Sequence, residues 1–304
     1  DMTAALRHAE EAARLWPEWA PHHDTLGIVL AQVGRYAEAV EKHEQALRLD
    51  PDDARFHYRL AHVLLKLSRT NEAVEHYGQA LRLNPDYVEA RNDLAATLIG
   101  LGRAPAAVEH MQRVLKLRPD WAEAWQNLGL ALAGCGRLDD AVAADQHALR
   151  LKPDYVEAQY NLGNVLYRLG RVGEAIEHYR AALQANPEYL EAHFNLAGAL
   201  RAFGRTDEAE QHIAEGRRIA FRQGDELRAA GRITEAAETH RQATLGDPKS
   251  DEACYRLGRD LLELSRWREA AESLRRAVEL EPDNAAARGA LAEAEKNANA
   301  TSRP

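Results

Sequence analysis

The sequence predicts an all-α solenoid of helix-turn-helix repeats, and three observations carry that prediction. Prolines recur at a fixed interval: Pro17, Pro51, Pro85, Pro119, Pro153 and Pro187 are each 34 residues apart, as are Pro248 and Pro282. Within each period one phase carries Leu26, Leu60, Leu94, Leu128, Leu162 and Leu196, and another leucine follows four residues later. A glycine or serine then stands at Gly34, Ser68, Gly102, Gly136, Gly170 and Gly204. A period of this length marks units that cannot bury their apolar faces alone and must stack on their neighbours.

The first helix of each unit is read from its leucines. An i, i+4 pair places both on one buried stripe, and the residue after the first leucine is always small: Gly27, Ala61, Ala95, Gly129, Gly163 or Ala197. The helix stops at the glycine or serine, because the left-handed backbone of a C-terminal cap is easiest for glycine. The second helix is marked by Ala39, Ala73, Ala107, Ala141, Ala175 and Ala209 and ends one turn before the proline. Full units are expected at 20–53, 54–87, 88–121, 122–155, 156–189, 190–216, 217–250 and 251–284. Residues 1–16 match only a second helix, with Leu6, Ala9, Ala13 and Trp16 as its stripe, so upstream sequence is expected. Residues 285–297 match only a first helix.

The repeat breaks once. Gly204-Arg205 reappears as Gly231-Arg232 after 27 residues instead of 34, and no proline interrupts the stretch between them. Seven residues are close to two helical turns, so their loss rotates the buried stripe by only about 20°. One helix from about 206 to 230 is expected in place of two, with Gly216 and Gly224 as bends. The domain reading follows: an array at 1–216, a smaller one at 217–297, and a disordered tail at 298–304.

A 34-residue period, "W-x-N-L-G" at 125–129, "E-A-I-E-H-Y" at 174–179 and the closing proline together resemble the tetratricopeptide repeat. The resemblance covers nearly the whole chain and implies a right-handed superhelical solenoid that holds protein or peptide partners in a concave groove built from the first helices. It places the sixth residue of each unit in that groove: Thr25, Arg59, Asp93, Asn127, Asn161 and Asn195. Asparagine costs a helix interior roughly 0.5 kcal/mol relative to alanine. Three in one column point to a use for an amide, which both donates to and accepts from an extended peptide backbone. Similar asparagine ladders occur in the superhelical arm of the O-linked N-acetylglucosamine transferases. Tyr58, Tyr160 and Phe194 in the fifth position and Asn164 in the ninth complete the expected groove. Asn164, Asn195, Arg218 and Arg222 resemble part of a carboxylate clamp, but Tyr160 stands where its lysine belongs.

Other function classes find less support. A net charge of −9 argues against nucleic acid as a partner, and no apolar run is long enough to span a bilayer. Cys135 and Cys254 form neither a disulfide framework nor a metal knuckle. His76, His110, His178 and His212 share a phase but are one repeat apart, too far for one metal ion. No nucleophile elbow, phosphate loop or zinc-protease signature is present, so neither enzymatic activity nor a cofactor is expected. The expected function is a peptide- or protein-binding scaffold, cytoplasmic, with self-association through the terminal helices as a further route. The alternative is the substrate-recognition arm of a larger enzyme. Asp145 stands where neighbouring units carry Tyr77, Met111 and Tyr179, and reads as a buried carboxylate, a contact point or a packing defect.

Overall fold

The computed structural model describes residues 1–300, and among them every regular element is an α-helix. In chain order they are α1 (Met2–Leu15), α2 (Ala20–Gln32), α3 (Tyr36–Leu49), α4 (Ala54–Lys66), α5 (Thr70–Leu83), α6 (Val88–Gly100), α7 (Ala104–Leu117), α8 (Ala122–Gly134) and α9 (Leu138–Leu151). There follow α10 (Val156–Arg168), α11 (Val172–Ala185), α12 (Leu190–Ala202), α13 (Thr206–Ala229), α14 (Ile233–Gly246), α15 (Asp251–Glu263), α16 (Trp267–Leu280) and α17 (Ala285–Ala300). They form two compact units, Asp1–Pro153 and Asp154–Pro304. In each, successive helices pack as antiparallel neighbours in a solenoid of helix-turn-helix repeats.

The turn between paired helices follows from one backbone requirement. Gly34, Gly102, Gly136, Gly170, Gly204 and Gly231 have φ between 71° and 84°, and Ser68 and Ser265 take φ of 58° at the same phase. The following arginine sends its N–H back to a carbonyl five residues earlier, as Arg35 to Leu30 and Arg171 to Leu166 at 2.9 Å, so the terminal carbonyls are satisfied. Its side chain turns forward instead. Arg69 pairs with Glu72 at 2.6 Å and Arg171 with Glu174 at 2.7 Å, a carboxylate in the first turn of the next helix. Apart from Arg103, which has Ala106 three residues on, these arginines are bound in local ion pairs and not aimed at the carbonyls of the preceding helix.

Small residues in the first helices are explained by what faces them. A Cβ at Gly27 would overlap the ring of His43, one at Gly129 the carboxylate of Asp145, and one at Gly163 the ring of Tyr179. Each facing residue is the eighth of its second helix, and each is almost fully buried. The conserved spacing of small against large is ordinary helix packing at close approach.

The break in the repeat is spanned by a single helix, α13, whose first half packs on α12 and second half on α14. Gly216 and Gly224, expected as bends, are buried where a Cβ would meet Phe194 and His240 respectively. Close packing is the role the structure gives them. The expected boundary at 216/217 falls inside this helix. At the C-terminus α17 runs to Ala300, so residues 298–300 are helical where a disordered tail was expected; the remaining tail residues, 301–304, lie outside the described residues. At the other end Ala9 and Ala13 of the α1 stripe are buried and Leu6 is half-buried, while Trp16 is 56% exposed.

Candidate functional site

The polar residues of the first-helix stripe do more than face solvent. The sixth residue of one first helix reaches the fifth residue of the preceding one. Arg59 pairs with Asp24, Tyr58 donates to Asp93 at 3.0 Å, Asn127 donates to Asn92 at 3.3 Å, and Asn195 donates to Tyr160 at 3.0 Å. The fifth and sixth columns thus form polar struts between repeats. Asn164 joins them by accepting from Asn195 at 2.8 Å and from Tyr179 at 2.7 Å.

These contacts divide the expected site residues. Asn127, Asn164 and Asn195 have part of their hydrogen-bonding capacity engaged and are fixed in orientation. Asn161 is half-buried and makes no hydrogen bond among the described residues. Tyr58 and Tyr160 are also held by aromatic contacts, with Tyr87 at 5.0 Å and Tyr189 at 4.9 Å between ring centroids. Burial is the main cause raising the Tyr160 phenol above its ordinary pKa, against hydrogen bonds from Asn164 and Asn195. Asp93 is lowered in spite of burial, because His62 at 2.7 Å and Asn92 at 3.1 Å stabilise its charge. The two arginines of the suspected clamp are engaged elsewhere: Arg218 with Glu215 at 2.5 Å and Arg222 with Glu188 at 2.6 Å.

Two pockets open on the stripe, one in each unit. The first, of about 340 Å³, is bounded by Ile28, Tyr36, Tyr58, Arg59, His62 and Lys66. The second, of about 390 Å³, lies where α14 meets α12 and is bounded by Tyr160, Phe194, Asn195, Gly198, Leu245 and Gly246. Both have walls that are mainly apolar with a few polar groups, the usual make-up of a binding pocket. Arg59, Tyr58, Tyr160, Phe194 and Asn195 line them; Asn127, Asn161 and Asn164 do not.

Behind the stripe are ionisable groups that the sequence did not reveal as partners. Asp24 accepts from His43 at 2.9 Å as well as pairing with Arg59, and Asp24 and His43 are 2% and 1% exposed. In the other unit Asp260 accepts from His240 at 2.6 Å and pairs with Arg228, with both Asp260 and His240 fully buried. A signal was available for Asp260, which occupies a column that is mostly apolar, with Val29, Val63, Ala131, Val165 and Ala199. Asp145 is also fully buried, and neither of its carboxylate oxygens has a partner; burial alone raises its pKa to about 8. The phase-sharing histidines pair within their own repeats, His76 with His57 at 2.9 Å and His212 with His193 at 3.1 Å. No group of three or more metal-ligating side chains occurs among the described residues.

Stacked helix-turn-helix pairs with pockets on the stripe of the first helices define the class: a helical-repeat protein. Family models described as tetratricopeptide repeat match residues 64–133, 127–189, 160–220 and 227–293, and one described as TPR repeat matches 27–68. The chain belongs to the tetratricopeptide repeat family. Among solved structures it is similar to YrrB, described as a TPR protein with an unusual peptide-binding site, at 24% identity and TM-score 0.53, covering 60% of this chain and 95% of that one. It is also similar to PilF of Pseudomonas aeruginosa, at 21% identity and TM-score 0.57, covering 66% and 91%. MamA residues 41 to the end from Desulfovibrio magneticus RS-1 align at 23% identity and TM-score 0.53, covering 56% and 96%. These likenesses establish the fold. A search of curated proteins found no match.

Proposed function

We propose that this chain is a scaffold that holds an extended segment of a partner protein along the inner stripe of its first helices. The observation that carries the reading is the pair of pockets, each formed from the stripe of a different unit and each combining apolar walls with fixed polar groups. Asn161 supplies an unengaged amide, and Asn195 keeps its carbonyl oxygen for a ligand while its NH₂ group is anchored to Tyr160 and Asn164. Such anchoring reduces the side-chain entropy lost on binding. Membership of the tetratricopeptide repeat family supports the same reading. The narrower likeness to a glycosyltransferase arm rests on the asparagine column, and the struts between repeats already give that column a structural use. This favours the plain scaffold over the enzyme arm. No helix among the described residues is long and apolar enough to cross a membrane.

The test is to pan a random-peptide display library on the full chain and measure the best peptide by calorimetry. Replacing both Asn161 and Asn195 by alanine is expected to weaken that peptide by about 1–3 kcal/mol, the scale of lost or unsatisfied hydrogen bonds. The melting temperature should fall little. A double variant that binds normally but melts early makes the column purely structural, and a library with no enriched sequence removes the scaffold reading itself.

A further inference from the structure

The second pocket lies where the repeat is interrupted, and the residues that build it depart from the repeat pattern in a coordinated way. The penultimate residue of the second-type helices is Arg14, Arg48, Arg82, Lys116, Arg150, Gln184 or Glu279, polar in every case except α14, where it is Leu245. The last residue is leucine or alanine elsewhere and Gly246 in α14. Both departures face the pocket. A Cβ at Gly246 would overlap the Phe194 ring, so the glycine lets α14 sit against α12. Leu245 is 74% exposed at the pocket edge, in a position where its counterparts carry a solvated head group. An apolar side chain kept at this exposure beside an open apolar cavity is stabilised only when something covers it.

The charge at the mouth limits what can cover it. Arg201 on the wall is neutralised by Glu210 at 2.7 Å, whereas the half-buried Glu191 receives only a neutral hydrogen bond from Gln242 at 3.0 Å and has no ion-pair partner among the described residues. Glu157 adds a second carboxylate with no ion-pair partner among the described residues. Both act on one point: burial, then Tyr160, then Glu191 and Glu157 push the Tyr189 phenol upward, and the Tyr189 ring lies tilted against that of Tyr160 on the pocket wall, with centroids 4.9 Å apart. The field at the mouth is therefore negative, and the floor is apolar.

We propose that this pocket is an anchor subsite for one bulky apolar side chain of a partner segment, with a lysine or arginine next to it in sequence facing Glu191 and Glu157. The proposal rests on the scaffold reading and adds to it where the segment is anchored and by what residue pair. Leu245 and Phe194 would flank the apolar side chain, and Asn195 would accept from the adjacent backbone N–H.

The probes are capped twelve-residue peptides of glycine and serine carrying one leucine beside one lysine, titrated into the ¹⁵N-labelled full chain and followed by amide shifts. The leucine-lysine peptide should move amides in 194–198 and 245–246. Replacing its leucine by serine should weaken it at least tenfold, and replacing its lysine by serine should weaken it severalfold, by less at high salt. Leu245→Arg restores the residue type found at this phase in other repeats, at an exposed position, and should weaken the peptide at least tenfold with an unchanged melting curve. Equal binding by Leu245→Arg, or no binding of the probe to the native chain, overturns the subsite. Shifts confined to the stripe near Tyr58 and His62 overturn it while leaving the scaffold reading intact. A native dimer that light scattering shows to become monomeric in Leu245→Arg overturns it in favour of a second copy as the occupant.

Discussion

Asp145 in the first unit and Asp260 in the second are both fully buried, yet one is alone and the other sits between His240 and Arg228. A solvated carboxylate loses several kcal/mol of hydration when taken inside a protein, and only close, hydrogen-bonded partners offset it. Asp260 answers that cost with close partners, His240 and Arg228. Asp145 answers it by giving the charge up, since burial raises its carboxyl to about 8 and leaves it protonated at neutral pH. The Asp24–His43–Arg59 cluster shows that the first solution has been built twice, from different helical positions in the two units. The lesson is that a repeat position tolerates a buried acid by either route, and that neighbours decide which.

The largest effect should come from breaking the company of Asp260. Asp260→Ala leaves the buried His240 without its acceptor and Arg228 with Glu263 alone, at 2.9 Å, and should lower unfolding free energy by about 3–5 kcal/mol, read from urea denaturation. Asp24→Ala should cost less, because Arg59 keeps 37% of its side chain exposed against 23% for Arg228 and can return to water. Equal losses would show that exposure of the arginine does not matter to the comparison.

Asp145→Met should work in the opposite direction. It restores the residue type of Met111 at the same phase and removes two unsatisfied oxygens, so a gain of about 1–3 kcal/mol is expected. A loss would mean that the site already holds a partner for the acid, such as an ordered water.

Counted per pH unit, the smallest effect is a slope with pH. The folded-state pKa of Asp145 lies above its unfolded value of 3.8, so the folded chain holds a proton that the unfolded chain releases. The contribution is fully present below pH 4 and is lost as pH rises toward 8, by at most about 1.4 kcal/mol per unit. Asp145→Asn, which has no proton to lose, should flatten the difference in stability between pH 5 and 8. A slope of the same sign and size in the variant assigns it to other groups.

The fold was almost wholly legible because repetition tests each assignment several times. A leucine stripe, a turn glycine and a proline agreeing in phase over successive units leave little freedom, and the missing seven residues were enough to foresee α13. The candidate site was legible by column but not by contact. The sequence placed Tyr58, Arg59, Tyr160, Phe194 and Asn195 on one stripe, yet the hydrogen bonds of Asn195 depend on rotamers and on the stacking of the next first helix. Those are tertiary quantities with no period of their own. Leu245 and Gly246 were legible in principle as departures from the repeat, and passed unread because they belong to a helix end, outside the groove columns.

The fused helix has a consequence for how the second unit opens. In a stacked repeat array, stability is a sum of each repeat's own term and the terms between neighbours, and segments can fray one at a time. Helix α13 is the second helix of one repeat and the first of the next, so it cannot melt on behalf of one neighbour alone. α12 and α14 are tied to the same opening event and should exchange their most protected amides together. An interruption of the pattern that looks like a weak joint thereby removes one boundary along which the array could fray.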